Sequence, residues 1–378
     1  MHRRAKEKLW AATVMEHHTS LMPMVRPLQF GALAEEFPVE QTNAMELIAL
    51  SLSASTRRNY SGVQKRWLAW LKQHRTPPFS STLERLHHCV CLWATDLGRS
   101  VTPDTVLQYL SAVAAMYQEQ GLLSPTFRSP QLRRILQGLK RYRFLNHGPS
   151  VQRTRLPLTA PRLKRLLKQT SSTVYDDLVF RSMCVVGYFG FLRLAEMATG
   201  PFTPRQAVLR QRHWSIHGSA AHLFIPLSKI DKFGRGQTLV LGSTKDQLDV
   251  QSTVAAMQSH PFYRNHHDAP LFQDQHGRPI TRSWFLKHLS VAAKQAGLQH
   301  ISGHSLRKGA ATDVAACGLP PVIIQAMGRW STDTYKIYAE LAQKDLEKVA
   351  KWLVCGGQDG ATGITGMRIP FQVLPAAK

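Results

Sequence analysis

Two arginines, a histidine, an indole and a phenol occur in this chain at spacings that suit phosphate chemistry. Gly303-His304-Ser305-Leu306-Arg307 sets a histidine and an arginine three residues apart, on one face of any helix. Gly328-Arg329-Trp330 follows, and then Tyr335 and Tyr338, one turn apart. Upstream, Arg193 closes the apolar run Met183 to Leu192, within Gly190-Phe191-Leu192-Arg193-Leu194-Ala195-Glu196. Guanidinium groups grip phosphate bidentately, and a tyrosine oxygen can carry a covalent intermediate. The set therefore predicts attack by a phenol on a phosphodiester held in a cationic clamp. Each member also has a plainer reading. Arg193 can pair with Glu196 on its own helix, His304 can be a core histidine, and Trp330 can be core filler at a corner between helices. Lys229 and Lys232 flank a turn between strands, where a lysine is usually solvated but can protonate a leaving alkoxide. Spacing alone does not separate Tyr335 from Tyr338.

The bulk composition narrows the partner. The chain has 378 residues, 43% of them hydrophobic, and a formal charge of +24 with a pI near 10.3. That length allows two cored domains, and that charge favours a polyanion, through counterion release at neutralised phosphates. No segment reaches the roughly 20 apolar residues of a membrane helix, so a membrane partner is not expected. Five cysteines without framework spacing fit a reducing compartment. His87-His88-Cys89-Val90-Cys91 has no second ligand pair at zinc spacing, so zinc is not expected there.

The elements must position these groups. Residues 1–45 lack periodicity and read as an arm. A helix begins near Ser55, with Tyr60, Val63, Trp67, Trp70 and Leu71 on one stripe and Arg57, Arg58, Lys65 and Arg66 off it. Further helices are expected over Ser81–Leu97, after the Thr102-Pro103 cap, and around Gln131–Phe144. The last carries Arg133, Arg134, Lys140 and Arg141. These make an all-α domain over 46–147 whose basic residues are candidates for DNA contact or a solvated face. A polar linker, 148–156, leads to a second domain over 157–355. There an apolar helix is expected over 174–198 with Arg193 near its end, strands over 222–227 and 237–241, and helices over 249–258, 281–296, 304–317, 320–327 and 344–354. A tail, 356–378, follows.

Taken in order, Arg193, Lys229, His304, Arg307, Trp330 and Tyr338 match the pattern of the tyrosine recombinases, the phage integrase family, which the chain resembles from about 155 to 345. Residues 50–145 resemble that family's helical, SAM-like core-binding domain. Ser228-Lys229-Ile230-Asp231, the Gly303–Thr312 stretch and Gly328-Arg329-Trp330 further resemble recombinases of eukaryotic DIRS-like and Crypton mobile elements. The resemblance implies a mainly α fold with a small antiparallel β-sheet, arranged as a two-domain C-shaped clamp on double-stranded DNA. It implies Arg193 and Arg307 on the non-bridging oxygens, Lys229 as general acid, and His304 on the phosphate and the tyrosine proton. Trp330 would order the site, and Tyr338, eight residues after it, would form the 3′-phosphotyrosyl bond without metal or nucleotide. It also implies dimers and tetramers that exchange the 344–354 helix, and a nuclear location for a eukaryotic element, or the nucleoid otherwise. Two other readings use the same residues: a DNA-binding descendant without catalysis, and a type IB topoisomerase-like swivelase.

Overall fold

The computed structural model describes residues 44, 46–48, 50–126, 129–148, 155–229, 231, 234–244, 246–317 and 321–330. All of the arm 1–45 except residue 44, together with Lys232, Tyr335, Tyr338, the expected 344–354 helix and the 356–378 tail, lies outside the described residues. The chain separates into two compact units, one ending at Gln152 and the other beginning at Arg153.

The first unit is four helices, each started by a local cap. Helix α1 (Ala54–Gln73), α2 (Leu83–Leu97), α3 (Pro103–Glu119) and α4 (Pro130–His147) follow Ser53, Thr82, Thr102 and Ser129. In each case the hydroxyl accepts from the backbone amide three residues on. Proline at the first position of α3 and α4 supplies the helical φ where no amide partner is needed. The buried stripe of α1 (Trp67, Leu71) meets Leu86, Val90 and Trp93 of α2 and Val113 and Tyr117 of α3. Trp67 stacks on Trp70 at 5.8 Å and meets Trp93 at a tilt, with ring centres 5.1 Å apart.

The second unit is built around one helix that is buried nearly all round. Elements run α5 (Ala160–Leu167), α6 (Tyr175–Phe189), α7 (Leu194–Met197), β1 (Trp214–His217), β2 (Ala220–Ile225), β3 (Gln237–Gly242), α8 (Val250–Gln258), α9 (Arg282–Gln295), α10 (Ser305–Ala316) and α11 (Pro321–Gly328). The strands form one antiparallel sheet in the order β1-β2-β3, with Trp214 opposite Leu223 and Leu223 opposite Leu239. Helix α6 buries Phe180, Met183, Val185 and Val186, and packs on α8 and α10. The fold is thus mainly helical with a small three-stranded sheet. Among the described residues no helix is long and apolar enough to cross a membrane.

Two expectations are corrected. The apolar helix over 174–198 is two helices: α6 ends at Phe189, and Arg193 caps a separate four-residue helix. The break is a Schellman turn in which Phe191 (φ 49°) takes the left-handed position; its amide donates to Tyr188 and that of Leu192 to Gly187. The sheet has a third strand, β1, of whose four residues only Trp214 is buried, so the alternation that marks a strand was absent.

Candidate active site

Four of the expected site residues come together where α6 and α11 end and α7 and α10 begin. Phe191, turned left-handed after α6, directs its carbonyl to Arg307, whose Nη1 donates to it at 2.6 Å. Arg307 Nη2 donates to the Gly328 carbonyl at the end of α11. The guanidinium is 1% exposed, and its carbon lies 4.4 Å from the centre of the Trp330 ring, a cation–π contact. Trp330 in turn meets Phe191 edge-on at 6.3 Å. A Cβ at Gly328 would run into that indole, so glycine there lets the ring lie against the helix end.

Arg193 and His304 occupy helix starts. Arg193 caps α7, and its Nη1 donates to Glu196 Oε1 at 3.0 Å while its amide donates to Oε2 at 2.9 Å. The ion pair foreseen as the plainer reading of Arg193 is therefore present, but Arg193 remains partly exposed. His304 is the N-cap of α10, not a residue within it. Gly303, just before it, lies so close to Leu194 that a Cβ would come within 2.7 Å of Cδ2, which joins the start of α10 to that of α7. Burial first, and then the charges of Arg307, Arg155, Arg193 and Lys308, hold the His304 imidazole below its ordinary value. Four cations around a half-buried histidine mark the place as one suited to an anion.

Two residues were not singled out from the sequence. Arg155 is carried to His304 by an extended segment whose Leu156 and Leu158 amides donate to the carbonyls of His300 (3.1 Å) and Ser305 (2.9 Å). Arg329 is 6% exposed; its Nη2 donates to Glu196 Oε2 at 2.7 Å and to the Phe191 carbonyl at 3.4 Å. Burial pulls it below its ordinary value and Glu196 opposes that. The cation flanking Trp330 in Gly-Arg-Trp was the only signal for it.

The segment beneath the site is held by α10. Gly309 abuts the backbone of Leu158 and Thr159, and Asp313 accepts from the Ala160 amide (2.6 Å) and the Tyr188 hydroxyl (2.5 Å). Lys229 is exposed in the connection from β2 to β3, where Asp231 accepts from the amides of Arg235 and Gly236.

In the first unit the expected DNA-contacting residues divide between α1 and α4. Arg58, Lys65, Arg133, Arg134, Lys140 and Arg141 are exposed. Arg57 pairs with Glu119 at 3.2 Å, and Arg66 donates to the Tyr109 hydroxyl at 3.1 Å. Helix α1 packs on α3, whereas α4 packs on α2 and α3.

Comparison with known proteins gives this geometry a family. The model of the phage integrase family matches residues 231–345, a span that holds His304, Arg307 and Trp330 but not Arg193 or Lys229. Tyrosine recombinase XerD of Oceanobacillus iheyensis is 23% identical over 318 residues, 82% of this chain and 96% of that protein. The Tn1549 transposon integrase, solved in complex with circular intermediate DNA, superposes with a TM-score of 0.51 at 15% identity, over 81% of this chain and 98% of that one. XerH site-specific recombinase bound to a palindromic difH substrate gives 0.50 at 15% identity, over 71% and 70%. At such identities the superpositions speak for the fold, and the family match and the XerD relative speak for descent. Residues 231–345 thus match a phage integrase family domain, and over most of its length the chain is similar to a tyrosine recombinase.

Proposed function

We propose that the chain is a tyrosine recombinase of the phage integrase family that cleaves and rejoins double-stranded DNA at a specific site through a 3′-phosphotyrosyl bond formed by Tyr338. The observation that carries the reading is the convergence of Arg193, His304, Arg307 and Trp330 on the ends of four helices. Arg193 and Arg307 bind the non-bridging oxygens and stabilise the charge that grows on them in the transition state. A guanidinium has five N–H donors; the Phe191 and Gly328 carbonyls take two of those on Arg307, which fixes the plane of the fork. His304, whose imidazole burial and then its cationic neighbours hold below its ordinary value, hydrogen-bonds the phosphate and helps to take the phenolic proton. Lys229 protonates the departing 5′-oxygen, and its exposed place on the β2–β3 connection suits a group that reaches to substrate.

The exposed cations of α1 and α4, Arg58, Lys65, Arg133, Arg134, Lys140 and Arg141, together with Arg57 and Arg66, serve as contacts to the DNA backbone. A mobile-element role, nuclear residence, and dimers and tetramers that exchange residues 344–354 belong to the same proposal; the DIRS-like and Crypton-like motifs support the first two.

The test is incubation with a nicked suicide duplex carrying the recognised site. A covalent adduct that disappears in Tyr338→Phe and persists in Tyr335→Phe supports the reading. Tight binding with no adduct would make the chain a binding protein, and plasmid relaxation without strand exchange would make it a swivelase.

A further inference from the structure

Glu196 is shared by two arginines, and only one of them is accounted for by the chemistry above. Its Oε1 accepts from Arg193 Nη1, while Oε2 accepts from the Arg193 amide and from Arg329 Nη2. The Glu196–Arg329 pair is 2.7 Å long with both side chains 3% exposed. If Glu196 faced Arg193 alone, the two charges would cancel. With Arg329 present, the trio keeps one positive charge, and Arg193 is the partly exposed member that can present it to a phosphate.

Arg329 is placed at some expense. It follows α11 in the left-handed conformation (φ 52°), in a Schellman turn closed by its own amide to Ala326 and that of Trp330 to Gln325. That position favours glycine. Its Nε and Nη1 are buried without a hydrogen-bond partner among the described residues. A buried guanidinium with unsatisfied donors in a strained backbone is poor for stability, so its reason for being there lies in what it does to Glu196.

We infer that Arg329 is a positioning residue for Arg193: it neutralises Glu196 from the far side and thereby leaves the Arg193 charge available to the scissile phosphate. The inference rests on the phosphotyrosyl reading.

The experiment measures single-turnover adduct formation by the full chain on two nicked duplexes, one with a phosphodiester and one with a methylphosphonate at the scissile position. The methyl group removes the charge that Arg193 would meet. Arg329→Met is expected to slow phosphodiester cleavage by about tenfold or more, with DNA affinity within a few-fold. On the methylphosphonate its loss should be about twofold or less. Arg329→Lys should retain most of the rate, and Glu196→Gln added to Arg329→Met should restore the wild-type ratio between substrates. Equal losses on both substrates, no loss on either, or a double variant that keeps the single variant's ratio would overturn the inference. Where Arg329→Met does not fold, Arg329→Gln, which keeps a hydrogen-bond donor toward Glu196 without the charge, is expected to show the same selective loss on the phosphodiester. Absence of an adduct in the wild type would instead sink the phosphotyrosyl reading.

Discussion

Gly309→Ala sets two physical effects of opposite sign against each other. In a helix interior alanine is favoured over glycine by about 1 kcal/mol, so local propensity alone predicts a more stable protein. At Gly309, however, the added methyl would meet the Leu158 carbonyl and the Thr159 amide nitrogen, the latter at 2.8 Å. Those are backbone atoms, pinned by the Leu158 amide on Ser305 and the Ala160 amide on Asp313. Overpacking costs roughly 1–3 kcal/mol, and a rigid neighbour puts this site in the upper half of that range. The net expectation is a loss of about 1–2 kcal/mol, or a melting temperature lower by roughly 2–8 °C for a unit of this size. Because α10 must move away from the 155–160 segment, His304 and Arg307 at its start move too. Misplacement by about 1 Å can cost about a hundredfold in rate, so adduct formation should fall at least tenfold. Gly62→Ala in α1 and Gly138→Ala in α4 are the controls: both lie mid-helix with nothing within 4 Å of the added methyl. Each should gain about 0.5–1 kcal/mol. Thermal melts of the three variants decide the matter. A Gly309→Ala protein that melts higher, as the controls should, would refute the close-packing account.

Arg307→Lys keeps the charge but cannot serve two carbonyls as a fork does. One of the Phe191 and Gly328 carbonyls then loses its partner, for a loss of about 1–3 kcal/mol read in chemical denaturation; unchanged stability would contradict the buried geometry. Arg155→Ala removes one of the cations that depress His304, so the imidazole should protonate at higher pH and the acid limb of the cleavage profile should shift upward. An acid limb that stays where it is in the wild type would remove Arg155 from the site. The sign for stability follows from the same depression. Between its folded value and about 6.5 the unfolded chain binds the proton that the folded one refuses. The contribution of His304 is thus complete above that window and is lost as the pH falls through it.

What could be read along the chain was whatever short-range physics decides. Thr102 and Thr281 start helices because a hydroxyl reaches an amide three residues away, and that relation is visible in any sequence. The stripe Trp67–Leu71 and the strand expected over 222–227, found at Ala220–Ile225, were legible for the same reason, and the order of Arg193, His304, Arg307 and Trp330 was legible as a resemblance. The break after Phe189 was not, since an apolar run signals burial without saying where a phenylalanine will turn left-handed. Edge strand β1, with one buried residue, carried too little pattern to be seen. The site itself was decided by tertiary structure. Arg307 finds a carbonyl 116 positions away, and Arg329 finds a carboxylate 133 positions away. Sequence can list the charged groups, but a charge in a low-dielectric interior takes its role from whichever partner the fold brings within about 3 Å.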